Sequence, residues 1–240
     1  MKIRIKFRKW GVMKFIGHLD MMRYFQKVMR RADVDIRYSE GFSPHQIMSF
    51  AAPLGVGITS DGEYLDIEVH STKSSVEMID DLNATMVDGV DIVGYVALPD
   101  NAKPAMSIVA AADYVLSYKE GYETPFTIEE WKEKIEELFT SQKTFTIIKK
   151  TKKSEREVDL KPLVYAFEVI EVEDKPAFYI NVSTGSVDNI KPELLLASIY
   201  EKLGLEYDEV AIAIHRKDVY ALNEKTKKFI SLLDLGELIL

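Results

Sequence analysis

A chain of 240 residues that is 47% hydrophobic is long enough to bury one large core or two of ordinary size. It contains no cysteine, which excludes disulfides, thiolate metal sites, a cysteine nucleophile and any iron–sulfur cluster held by its own thiolates. No run of about 18 apolar residues occurs, and the opening MKIRIKFRKW alternates charged with apolar residues. Neither a membrane span nor a signal peptide is therefore expected, and the cytoplasm is the expected compartment.

The formal net charge of −8 is unevenly spread: residues 1–50 hold eleven Lys and Arg against four Asp and Glu, whereas residues 51–100 hold one against ten. Two readings fit this division. The first fifty residues build a basic face for a polyanion while the acidic remainder repels it elsewhere, or the two segments neutralise each other as adjacent strands.

In chain order, Lys2 to Lys9 sets Ile3, Ile5 and Phe7 against Lys2, Arg4, Lys6 and Arg8, the period-two pattern of a strand with one buried and one wet, basic face. A helix is expected from Gly17 or His18 to Ala32, with Leu19, Met22, Phe25 or Gln26, and Met29 inward and Arg23, Lys27, Arg30 and Arg31 largely outward. Asp33 to Tyr38 reads as a short strand. Ser39 to His45 reads as a loop, because Gly41 and Ser43-Pro44 are breakers. Met48 to Ala52 resumes apolar character, and Glu63 to His70 alternates Leu65, Ile67 and Val69 inward with Tyr64, Asp66, Glu68 and His70 outward. Ser74 or Ser75 caps a helix to about Met86 with Glu77 in its first turn, and Val90 to Leu98 is the next strand.

That order, β-α-β-β-α-β, is the ferredoxin-like unit, two helices on one face of an antiparallel sheet. PDNAKP, Pro99 to Pro104, is polar and rich in breakers, so a boundary is placed there, giving domains 1–100 and 101–240. The second half repeats the order: a strand over Asp113–Lys119, a helix over Thr127–Phe139 opened by a Thr127/Glu130 capping box, strands over Lys143–Lys150, Glu157–Val172 and Ala177–Ser183, a helix over Pro192–Leu203 and a strand over Glu209–His215. Lys225 to Leu240 is expected to add a short helix and a docking segment. The expected fold is thus α+β, with two tandem ferredoxin-like halves built on antiparallel sheets.

Three stretches could carry chemistry. His18-Leu19-Asp20 opens the basic helix, where unpaired backbone N–H groups and a partial positive charge can receive a phosphate or carboxylate and a histidine can shuttle a proton. The alternative there is a plain capping turn, with Asp20 favoured by the helix dipole. Tyr38-Ser39-Glu40-Gly41-Phe42-Ser43-Pro44-His45 offers rings for stacking beside hydroxyl, carboxylate and imidazole groups, the inventory of a site for an unpaired nucleotide; a rigid turn whose Phe42 plugs the core is the alternative. Lys150, Lys152 and Lys153 belong to a basic hairpin tip that can straddle a phosphate backbone. His18, Asp20 and His45 are the candidates for catalysis. No close HxH or HExxH spacing joins them, so no metal site is expected. Candidates for RNA contact are Arg4, Lys6, Arg23, Lys27, Arg30, Arg31, Tyr38, Phe42, His45, Lys150, Lys152 and Lys153. No Walker loop, dinucleotide fingerprint or nucleophile elbow occurs, and no cofactor is expected.

The run Phe15-Ile16-Gly17-His18-Leu19-Asp20, with Arg23, Tyr38 to His45, Ser49-Phe50, Pro53-Leu54, Val56-Gly57 and Glu63-Tyr64-Leu65-Asp66, resembles the signature of the radical SAM-linked protein family, a bacterial family of unknown function. Val158 to Pro162 and Ile190-Lys191-Pro192 resemble its C-terminal part. The resemblance implies a radical SAM enzyme as partner and brings no assigned reaction or catalytic residues. Where that family tends to show proline and then a basic residue after the histidine, this chain has Gln46 and Ile47. Without cysteine the chain is an associate of such an enzyme and not the enzyme itself. The leading expectation is an RNA-binding accessory that presents tRNA or rRNA to that partner. The rivals are an RNA-modifying or RNA-cleaving enzyme using His18, His45 and Asp20, and a protein–protein adaptor that touches no RNA.

Overall fold

The computed structural model describes residues 1–150, 155–185 and 188–240. The chain is mixed α+β with mostly antiparallel pairing, and it divides into two compact units, Met1–Ala111 with Arg216–Leu240, and Ala112–His215. This differs from a cut at residue 100, because the last 25 residues return to the first unit.

In the first unit the chain runs β1 (Lys2–Lys9), α1 (His18–Arg31), β2 (Met48–Phe50), β3 (Thr59–Glu68), α2 (Ser75–Asn83), β4 (Val90–Leu98) and a single helical turn α3 (Ala105–Ile108). Strand β1 lies between β4 and β3, antiparallel to both, and β2 pairs with the far end of β3. Ile3, Ile5 and Phe7 of β1 and Leu65, Ile67 and Val69 of the β3 segment meet Phe25, Val28 and Met29 of α1 and Leu82 of α2 in one core, as expected of period-two strands beneath amphipathic helices. Leu19, expected on the inner stripe of α1, is exposed, and Met21 takes its place. Helix α2 opens with a complete Ser74/Glu77 capping box.

The other face of β1 is not wet. The Arg216–Leu222 part of β10 (Ile212–Leu222), strand β11 (Phe229–Ser231) and a 3-10 turn at Leu232–Leu235 belong to the same unit. Leu233 packs where a side chain on Gly94 would stand, Leu232 accepts a hydrogen bond from Arg4, and Glu237 bridges Ala97. The tail docks, and this turn stands in place of the expected helix.

In the second unit β5 (Val109–Tyr118), α4 (Ile128–Ile135), β6 (Thr146–Lys150), β7 (Glu155–Asp159), β8 (Val164–Val172), β9 (Lys175–Ser183) and α5 (Pro192–Lys202) precede β10. Strand β9 lies between β5 and β8. The expected long strand over Glu157–Val172 is two strands, because Lys161–Leu163 forms a 3-10 turn around Pro162; β7 pairs with β6 as a separate hairpin. The Thr127/Glu130 capping box is formed. Trp131 of α4 is fully buried, edge-on to Phe178 and beside Tyr200. Among the described residues no helix is long and apolar enough to cross a membrane.

Candidate functional site

The cations of the first fifty residues separate into two groups. Two of those on β1, Arg4 and Lys6, are spent inside the unit, and Arg8 is half exposed. Arg4 is 1% exposed and makes a two-pronged bond to Asp66 of β3, 2.7 and 3.0 Å; Lys6 reaches Asp218 at 2.9 Å, and Arg8 stands 3.7 Å from Asp61. Arg4 and Lys6 are therefore corrected from phosphate contacts to structural cations. Asp66 and Asp61 lie on the adjacent strand β3 and Asp218 on β10, so the acidic second quarter meets Arg4 and Arg8, while the returning C-terminal part of the chain meets Lys6.

The cations of α1 stay outside. Arg23, Lys27, Arg30 and Arg31 are exposed. Arg23 makes a 3.1 Å pair with Asp20 one turn away, both largely in water, where such a pair is weak and easily exchanged. Arg31 donates to the Thr85 carbonyl and lies over the Tyr24 ring.

The Tyr38–Gln46 loop is tied to the same helix. Gln46 Nε2 donates to the Gln26 carbonyl at 3.3 Å, Tyr38 bridges Gln46 across the loop, and Ser39 N–H donates to the His45 carbonyl. Gly41 has φ 108°, a conformation that glycine adopts without strain. His45 Nδ1 lies 2.8 Å from Ser39 Oγ, which also accepts from the His45 amide. Phe42 plugs nothing: it is fully exposed, and Tyr38 is half exposed. Two rings thus stand in water on this loop, and Tyr38 shares a surface hollow with Arg30, Asp33 and Asp35.

His18 does not join His45 and Asp20 in one group. Asp20 is engaged by Arg23, His45 by its own loop, and His18 stands edge-on to Phe50, ring centres 5.3 Å apart. Among the described residues no three His, Asp or Glu gather as metal ligands. Instead His18 lines a cavity of about 20 Å³ with Phe7, Lys9, Met21, Phe50, Pro53, Leu54 and Glu63.

Lys9 and Glu63 were not among the sequence candidates, yet a signal was present. Both occupy inward positions of their strands, Lys9 in step with Ile3, Ile5 and Phe7, and Glu63 in step with Leu65 and Ile67. A charge on an apolar face demands a partner. Glu63 finds Arg216, whose Nε donates to Oε1 at 2.8 Å and whose Nη2 binds Oε2, while Nη2 also reaches the Ala52 carbonyl at 2.9 Å. Lys9 Nζ donates to the Ile16 carbonyl at 2.6 Å. Burial pushes the Lys9 amine below its ordinary range, opposed by the Glu63 carboxylate and reinforced by the Arg216 guanidinium.

In the second unit β6 and β7 form the hairpin expected to carry basic residues. Lys152 and Lys153 lie outside the described residues, and of Lys150 only the backbone is described. His70 is exposed, as expected of a strand-end residue.

No curated protein matches the chain. Its structure is similar to a chain from "Crystal Structure of a Cbf5-Nop10-Gar1 Complex" at 13% identity and a TM-score of 0.48, covering 90% of this chain and 48% of that one; this chain thus spans about half the length of that one. Residues 2–192 match the family described as "Uncharacterized protein conserved in bacteria (DUF2344)", and the chain belongs to that family.

Proposed function

We propose that this protein is a cytoplasmic RNA-binding accessory that presents tRNA or rRNA to a radical SAM partner. One observation carries the RNA half of the reading: Arg4 and Lys6 of β1 are paired with carboxylates while Arg23, Lys27, Arg30 and Arg31 of α1 remain exposed, and the loop anchored to that helix carries the exposed rings of Tyr38 and Phe42. Exposed cations hold phosphates, and exposed rings accept unpaired bases by stacking. Arg23, Lys27, Arg30 and Arg31 follow the backbone, and Tyr38, Phe42 and His45 receive a splayed base. The partner half follows from the family resemblance together with exposed apolar side chains on neighbouring segments, Phe15, Leu19 and Val56, which suit a protein interface.

The two halves of the chain are read as tandem split βαβ units of ferredoxin-like type. The order β4-β1-β3-β2 in the first, and β5-β9-β8 with β6 and β7 as an insertion in the second, support that reading. It sets the fold and not the chemistry.

Binding of small RNA by purified protein at two salt concentrations tests the reading. Wild type is expected to bind in a salt-sensitive way, and an Arg23→Glu/Lys27→Glu/Arg30→Glu variant is expected to lose binding while keeping its fold. Equal retention by both proteins would refute an RNA surface on α1.

A further inference from the structure

Two loops of the second unit, one after β5 and one between α5 and β10, form a hollow of about 320 Å³, within the roughly 300–1,000 Å³ of small-ligand sites. Its walls are tyrosines. Tyr118 and Tyr200 are buried and bond to each other through their hydroxyls, so their polar atoms are spent. Tyr207 stands edge-on to Tyr200, ring centres 5.4 Å apart, and Tyr122 adds a fourth ring to the lining. Tyr122 and Tyr207 are half-buried, so the hollow is not closed by its own side chains.

Every charged side chain in the lining is acidic: Glu123, Glu206 and Asp208, all exposed. All three stand outside the ion pairs formed among the described residues, and Asp208 gives one oxygen to the Val210 amide at 2.8 Å. Two lysines hold the loops without entering the lining: Lys119 Nζ donates to the Val210 carbonyl at 2.6 Å, and Lys175 Nζ to the Tyr122 carbonyl at 3.0 Å. The rings feel the acidity. Burial first, then the Glu193, Glu209 and Asp208 carboxylates, hold the Tyr207 phenol above its ordinary range. Of these, Glu193 keeps a buried oxygen, Oε2, that no described residue satisfies, so an acceptor stands unfilled near Tyr207.

Ring faces carry the negative part of the aromatic quadrupole, and carboxylates at the rim add to it, so the hollow repels anions and favours a cation. A guanidinium suits it better than an ammonium. It is planar and weakly hydrated, and it stacks on a ring while its N–H groups reach carboxylates.

We propose that this hollow binds a guanidinium group, with Tyr122 and Tyr207 as ring walls and Glu123, Glu206 and Asp208 as counter-charges. The group is an arginine side chain, carried by a partner protein or by the free amino acid. The site does not rest on the RNA reading of α1.

N-acetyl-arginine amide, its neutral isostere N-acetyl-citrulline amide, and free arginine are each titrated into purified full-length protein at constant ionic strength. The ring resonances of Tyr207, assigned with Tyr207→Phe, report occupancy. The capped arginine is expected to move them saturably with a dissociation constant of about 1 mM, and the citrulline compound is expected to leave them still. Tighter binding of the capped form supports a partner's side chain, and tighter binding of free arginine supports the amino acid. A Glu206→Gln/Asp208→Asn variant, changed at exposed positions, is expected to bind about five- to twentyfold more weakly. Unmoved Tyr207 resonances, an equal response to the citrulline compound, or unchanged affinity in the rim variant would overturn the proposal.

Discussion

Lys9 and Glu63 occupy the apolar faces of two neighbouring antiparallel strands, and their fates are set by Arg216, which comes from more than 150 residues later in the chain. The alternation of β1 and β3 is carried by the regular positions, and the departures from it mark the cavity under His18. Arg216 was out of reach of any local reading, because nothing near it in sequence indicates that it faces Glu63. Removing one member of a buried pair strands the other, at about 3–5 kcal/mol. Glu63→Gln removes a carboxylate that attracts both Arg216 and Lys9, whereas Arg216→Met leaves that carboxylate still facing Lys9. Urea unfolding should therefore show both variants destabilised, with Glu63→Gln the worse by about 1 kcal/mol or more. The reverse order would mean that Lys9 does not feel Glu63.

Strand β10 reaches β3 because Gly62 has no side chain. A methyl group there would sit 2.7 Å from the Asp218 Cα and 2.9 Å from the Lys217 carbonyl, both backbone atoms that cannot rotate away. Gly62→Ala should cost roughly 1–3 kcal/mol and should loosen the bonds that Asp218 makes to Tyr64 and Lys6; an unchanged urea midpoint would show that the strands separate freely. Elements with local signals were legible. The helix α1 follows from its period, and the Thr127/Glu130 capping box from a hydroxyl residue and a glutamate three positions on, whereas the choice between Ser74 and Ser75 is made by the Glu77 side chain closing a box on Ser74. What was not legible was which face of a strand meets another part of the chain. Arg4 and Lys6 alternate as surface cations do, and only the return of residues 216–240 converts their face into an interior one. Leu19 failed for a related reason: helical spacing admits two neighbouring stripes, and packing against β1 selects the one through Met21, Phe25 and Val28.

In the whole molecule, buried tyrosines set the alkaline limit of stability. Burial, aided by the Asp218 carboxylate, pushes Tyr64 far above its ordinary range; burial raises Tyr95, Tyr118, Tyr200 and Tyr207 as well, and takes Tyr179 up to about 12. A tyrosine whose folded value exceeds its unfolded value near 10 keeps more protons in the native state above that pH. Its contribution is complete below pH 10 and is lost as pH rises through the folded values. Stability should therefore fall steeply above pH 10, with a group of tyrosines ionising only on unfolding in an absorbance titration; smooth ionisation of every tyrosine near pH 10 would contradict their burial. The charge division reads differently at this level than along the chain. Against the −8 of the whole, with Arg4 and Lys6 paired inside the unit, α1 presents a row of four exposed cations. The most direct measurement is the slope of log affinity against log salt for single-stranded RNA, in wild type and with the α1 cations reversed. Four phosphate contacts by Arg23, Lys27, Arg30 and Arg31 predict a slope of about −2.8, shallower by about 0.7 for each cation removed. A slope near zero, or one that the α1 substitutions leave unchanged, would contradict RNA recognition by this helix.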